Sequence, residues 1–205
     1  MTPQAQPKTD EISADLWPIF INGESLNQFS RHRFSHEIDN LKGVDPDGFY
    51  ILSALLAAID GNIKETLDLA NIALQHCNRV PLLLNWSNIL TNLGQIRESF
   101  LFAKKSQSLA PGDIDANSLL ISLAAAVEDT ETLELALETW HGLQPGQIHP
   151  LATAYLLNEK DIPQGTMDDE NILRVLDSLQ LKFIEANPTD RVETLVRKLM
   201  QEIDT

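Results

Sequence analysis

Residues 80–113 read VPLLLNWSNILTNLGQIRESFLFAKKSQSLAPGD, and their reading decides the fold. Leu82 to Leu93 is apolar at helical spacing, and Ile96 to Leu109 carries a second such pattern. Gly94 lies between them, where a residue free to turn left-handed ends one helix and admits the next. Pro111-Gly112 then stops the second helix. The stretch is a helical hairpin.

The pattern recurs on either side. In steps of 33 residues, Gly61 and Gly94 align with Val127, and Glu65 with Glu98 and Glu131. Thr66, Ser99 and Thr132 form a column, as do Leu67, Phe100 and Leu133, and Leu69, Phe102 and Leu135. Ala70, Ala103 and Ala136 form another, and Ala73, Ser106 and Thr139 a column of small residues. A period of this size marks a solenoid of helical hairpins. In the first unit Phe49 to Asp60 is helix A and Ile63 to His76 helix B; the third uses Asp115 to Val127 and Glu131 to Trp140. Thr66, Ala70 and Ala73 lie on one stripe of helix B, which lets two helices approach closely.

This arrangement resembles the tetratricopeptide-repeat family over residues 47–146. In 80–113, Leu83, Trp86, Ser87, Leu90, Gly94, Ser99, Ser106 and Pro111 fall where that family places large, large, small, large, glycine, small, small and proline. In 47–79, Tyr50, Ala54, Ala57, Gly61, Thr66 and Ala73 match, with Asn78 in place of the closing proline. In 114–146 the glycine is lost and Pro145 comes one residue late. The step of 33, against the family's 34, and alanine at the usual aromatic position of helix B mark divergence. The resemblance implies an all-α, right-handed solenoid that binds a protein or peptide client in a concave groove lined by helix A. Carried over position by position, the groove is Ile51, Leu55, Ala58 and Ile59, then Leu84, Asn88, Thr91 and Asn92, then Ser118, Ser122 and Ala125. No Lys or Arg is among them, which argues against capture of a terminal carboxylate. The expected groove is apolar at one end and amide- and hydroxyl-rich in the middle, with Asn88 and Asn92 bonding a peptide backbone.

Composition agrees with helices. Hydrophobic residues make up 43% and aromatic ones only 6%, with Leu and Ala dominating the middle of the chain, where unbranched side chains favour helix. The net charge of −15 is uneven: from 106 to 173 the one basic residue is Lys160, against twelve acidic ones. Asp129, Glu131, Glu134, Glu138, Asp168 and Asp169 are the candidate acidic surface. Such a surface repels phosphate backbones and anionic lipid, so no nucleic-acid or membrane role is expected. Its bland reading is solubility.

Around the repeats, 1–12 reads as a flexible tail and 13–46 as an N-terminal helical segment. Trp17-Pro18-Ile19-Phe20-Ile21 is an apolar knot, Asn22-Gly23 a turn, and Glu24 to Leu41 a helix presenting Leu26, Phe29, Phe34, Ile38 and Leu41. Residues 147–205 read as a degenerate fourth hairpin beginning at His149, followed by a capping helix.

Catalytic signatures are absent, and no cofactor is expected. His32 and His36 share a helix face with Asp39 one turn on, but Arg33 would crowd a cation there, so no metal site is expected. Cys77, the only cysteine, reads as a small packing residue. The N-terminus lacks a secretory pattern and no apolar run approaches about 18 residues, so the expected compartment is the cytoplasm. Two functions fit. One is an adaptor or dedicated chaperone, akin in size, charge and repeat number to small acidic repeat chaperones of bacterial secretion systems. The other is an immunity- or antitoxin-like partner that neutralises a basic protein through residues 106–170. Self-association through a solenoid end, giving a homo-oligomer, is a third.

Overall fold

A computed structural model of the chain describes residues 5–144 and residue 149. Among the described residues there are eight α-helices and no strand. In order they are α1 (Ala5–Ile21), α2 (Gln28–Asp39), α3 (Pro46–Ile59), α4 (Ile63–His76), α5 (Val80–Asn92), α6 (Ile96–Leu109), α7 (Ile114–Ala126) and α8 (Thr130–Leu143). Two compact units divide after Ser106. Among the described residues, no helix is long and apolar enough to cross a membrane.

Helices α3 to α8 form three hairpins whose turns agree bond for bond. After α3, the Gly61 N–H donates to Ala58 O and the Asn62 N–H to Ala57 O; after α5, Gly94 donates to Thr91 O and Gln95 to Leu90 O. After α7, Glu128 donates to Ala125 O and Asp129 to Ala124 O. Each pair satisfies carbonyls left open at a helix end and requires one left-handed residue. Those residues are Gly61 (φ 73°), Gly94 (φ 72°) and, against expectation, Glu128 (φ 61°). Val127, aligned with the glycines by the constant step, is the residue before the turn.

The reason is register. The helix-A caps Asp45, Arg79 and Asp113 recur every 34 residues, whereas the left-handed residues are 33 and then 34 apart. Helix α3 is one residue longer than α5 and α7. The third hairpin therefore lies one residue later than a step of 33 places it. In α8 the position of Ala70 and Ala103 is taken by Leu137, and that of Ala73 and Ser106 by Trp140, both buried. Thr139 instead donates its hydroxyl to Leu135 O in its own helix.

The small-residue stripes act as expected in the first two hairpins. Thr66 and Ala54 are both fully buried, and so are Ser87 and Ser99. Ser87 Oγ donates to Ser99 O at 3.1 Å, Ser99 Oγ lies 2.9 Å from Ser87 O, and the hydroxyls are 2.7 Å apart. Beside this seam Trp86 stacks on Phe102 with centroids 5.5 Å apart.

The N-terminal region departs from expectation. Residues 5–12, read as tail, belong to α1, where Thr9 is 1%, Ile12 3% and Leu16 0% exposed. These three lie on one helical stripe and pack α1 against α3. Burying two such aliphatic side chains is worth about 1.5–3 kcal/mol each. The second helix is shorter than expected, starting at Gln28 under the cap Asn27. Its Phe29 is 82% exposed, so the apolar face consists of Phe34 and Ile38. Asp45-Pro46, read as a break, is also the cap and first turn of α3.

Candidate binding surface

The residues expected to line the groove differ in exposure from helix to helix. Ile51, Leu55 and Ala58 are 5%, 1% and 8% exposed. Ile51 and Leu55 line a crevice of about 20 Å³, room for a single water, whose other walls include Thr9, Ser13 and Trp17 of α1 and Asn85 of α5. The protein's own first helix thus fills the apolar end of the expected groove.

A buried polar cluster holds α1 in this place. The Asp45 carboxylate, in a residue 1% exposed, accepts from the Thr9 hydroxyl at 2.8 Å, the Gly48 N–H at 3.2 Å and the Arg79 guanidinium at 2.7 Å. One carboxylate so joins α1, the start of α3 and the cap position of α5. Gly48 makes room for it, because a Cβ there would fall on Thr9 Oγ1 and the Asp45 carboxylate. The sequence reading missed Thr9, Asp45, Gly48 and Arg79 as a group. The spacing Thr9, Ile12, Leu16 was the available signal for the helix.

On α5 the expected surface remains partly open. Leu84 is half-buried, and Asn88 and Asn92 are exposed. The Asn92 amide donates to Asn88 O at 2.9 Å, while the Thr91 hydroxyl lies 2.8 Å from Ser99 Oγ and so turns into its own hairpin.

On α7, Ser122 and Ala125 are buried, and the Ser122 hydroxyl donates to Ser118 O. Ser118 Oγ lies 2.9 Å from His149 Nε2. His149 is 3% exposed, with its ring edge-on to Trp140 at 4.7 Å. Burial lowers its pKa to about 4, so the imidazole is neutral at pH 7.

The acidic candidates have separate fates. The Asp129 carboxylate caps α8, accepting from the Thr132 N–H at 3.0 Å and its hydroxyl at 2.9 Å. Glu131 and Glu138 are exposed on either side of Leu135, itself 63% exposed, and Glu134 is half-buried. Asp168 and Asp169, with the expected fourth hairpin and capping helix, lie outside the described residues.

His32, His36 and Asp39 are exposed on α2, with the His36 ring 3.4 Å from the Asn40 amide. Among the described residues no group of three or more His, Cys, Asp or Glu is placed to hold a metal ion. Cys77 is fully buried and burial pushes its thiol pKa up, away from the reactive thiolate. Compared with family models, curated proteins and solved structures, the chain matches none.

Proposed function

We propose that the chain is a non-catalytic, tetratricopeptide-like right-handed solenoid that holds a peptide or apolar segment of a client protein, as an adaptor or dedicated chaperone. The observation that carries this reading is the recurrence of one hairpin with the same turn bonds at Gly61, Gly94 and Glu128. The 34-residue spacing of the helix-A caps equals the family's repeat length and removes one departure seen in the sequence. The contact surface in this reading is the α5 face of Leu84, Asn88 and Asn92. Its exposed amides suit the backbone of an extended peptide.

The test is affinity capture from native lysate with the wild type and with a variant carrying Asn88→Arg and Asn92→Arg. Both substitutions are at exposed positions, so the fold should be retained and is checked by melting. A client lost with the folded variant supports the α5 face, and a client retained moves the contact elsewhere.

One observation favours a second reading, a neutralising partner for a basic protein. Glu131 and Glu138 flank the exposed Leu135 on the outer side of α8. Rim charges speed encounter and weaken with salt. A complex made there therefore loses affinity steeply with ionic strength, and one made at the α5 amides does not.

A further inference from the structure

We propose that the face of α3 and α5 beneath α1 is a receptor for an amphipathic helix of a client, which displaces α1 and carries an aliphatic side chain where α1 carries Ser13. The proposal rests on the reading that the chain holds an apolar segment of another protein.

Helix α1 occupies this face incompletely. A helix lying on an apolar surface presents residues i, i+3, i+4 and i+7 to it, here Thr9, Ile12, Ser13 and Leu16. Ile12 and Leu16 are buried, but the half-buried Ser13 lines the crevice that Ile51 and Leu55 of α3 share with Asn85 and Ile89 of α5. The stripe lacks an apolar side chain at the place where space is unfilled. Among residues 8–21 only Thr9, Ile12 and Leu16 are buried, and Pro18 has no N–H for the helix's own bonding.

The polar anchor tolerates the departure of α1. Asp45 keeps the Gly48 N–H and the Arg79 guanidinium when Thr9 withdraws, so no bare buried charge is left. Ile51, Leu55, Leu82 and Ile89, each at most 5% exposed, would then face water, which a second apolar helix prevents. The anchor also selects the incoming helix. Thr9 Oγ1 sits where a Cβ on Gly48 would stand, so α1 approaches α3 too closely there for a longer donor. The fitting helix carries Ser or Thr, then aliphatic residues three, four and seven positions on. On α5, Asn88 and Asn92 are exposed three and seven residues beyond Asn85, so this face is continuous with the amide surface.

The test adds labelled peptides of residues 5–21 to the full chain: the native sequence, one with Ser13→Val, and one with Ser13→Val and Leu16→Asp. Fluorescence anisotropy gives affinity, and hydrogen exchange follows the chain's own α1. The Ser13→Val peptide is expected to bind about tenfold tighter than the native one, and the Leu16→Asp peptide not at all. Binding should strip protection from α1 while α3 and α5 keep theirs. A full chain with Leu16→Ala, whose own α1 is loosened, should bind the first two peptides more tightly. No binding, no gain from Ser13→Val, or binding with α1 still protected overturns the proposal. So does a wild-type dimer in sedimentation that Leu16→Ala dissociates, since a second copy's α1 would then be the occupant. The readout needs no client, so its failure is distinct from loss or retention of a client at the α5 amides.

Discussion

Arg79, the cap residue of α5, donates to Asp45, the cap residue of α3, at 2.7 Å, with the Asp45 carboxylate 2% and the Arg79 side chain 19% exposed. The pair joins the first helices of two successive hairpins at equivalent positions. Thr9 brings α1 into the same contact.

Truncating Asp45 therefore removes a cap, an ion pair and the anchor of α1 together. Asp45→Ala is expected to cost about 3–5 kcal/mol, the range for breaking a buried pair from one side. Arg79→Met should cost less, because Thr9 and Gly48 continue to satisfy the carboxylate. Urea denaturation of both variants checks the order, and a loss below about 1 kcal/mol for Asp45→Ala would show that the pair behaves as a solvated surface bridge.

Gly48 is required by proximity, with no positive φ involved. Gly48→Ala should destabilise by about 1–3 kcal/mol through overpacking, despite the better helix propensity of alanine. Combined with Thr9→Ala, which withdraws one of the clashing atoms, the cost should fall below the sum of the single changes. Strict additivity in a double-mutant cycle would refute the contact.

Glu128 holds a left-handed conformation that a side chain makes costly by about 1–2 kcal/mol. Glu128→Gly should raise stability by about 0.5–1 kcal/mol, because the strain relieved exceeds the added freedom of the unfolded chain. Gly61→Ala and Gly94→Ala should lower it by a similar amount. Melting temperatures moving by a few degrees in these opposite directions check the assignment.

His149 binds its proton near 4 when folded, against 6.5 for an ordinary histidine. Between those values the unfolded chain holds more protons. The stability contributed by keeping the ring neutral is thus fully present above 6.5 and is lost as the pH falls toward 4. The loss amounts to about 3 kcal/mol. His149→Gln should lose that much less on acidification, read as a difference in urea midpoints at pH 7, 5 and 4. Parallel curves for the two proteins would contradict the buried, neutral ring.

The hairpins were legible because their signals are local. Gly61 and Gly94 announce left-handed turns, and Thr66, Ala70, Ala73, Ser99, Ala103 and Ser106 mark the close-packed stripes. The third hairpin slipped by one residue because Glu128 and Trp140 stand where the first two hairpins carry glycine and small side chains. Residue type alone could not set that register. Helix α1 was hidden by a polar, proline-bearing start, while its buried stripe of Thr9, Ile12 and Leu16 is only three residues long. The packing of α1 beside Ile51 and Leu55 was not legible at all. It depends on Thr9 reaching Asp45 across 36 residues, and helical periodicity says nothing about such a pairing. Phe29 shows the converse error, since an apolar residue at helical spacing need not face inward.

The Arg79–Asp45 contact also bears on the order in which the polypeptide acquires its stability. Asp45 precedes Arg79 in the sequence, so a chain growing from its N-terminus acquires the carboxylate before its cation. Until Arg79 follows, that carboxylate has no cation, and the first hairpin lacks a contact that only the second can provide. The first hairpin therefore reaches its full set of contacts only together with the first turn of its successor.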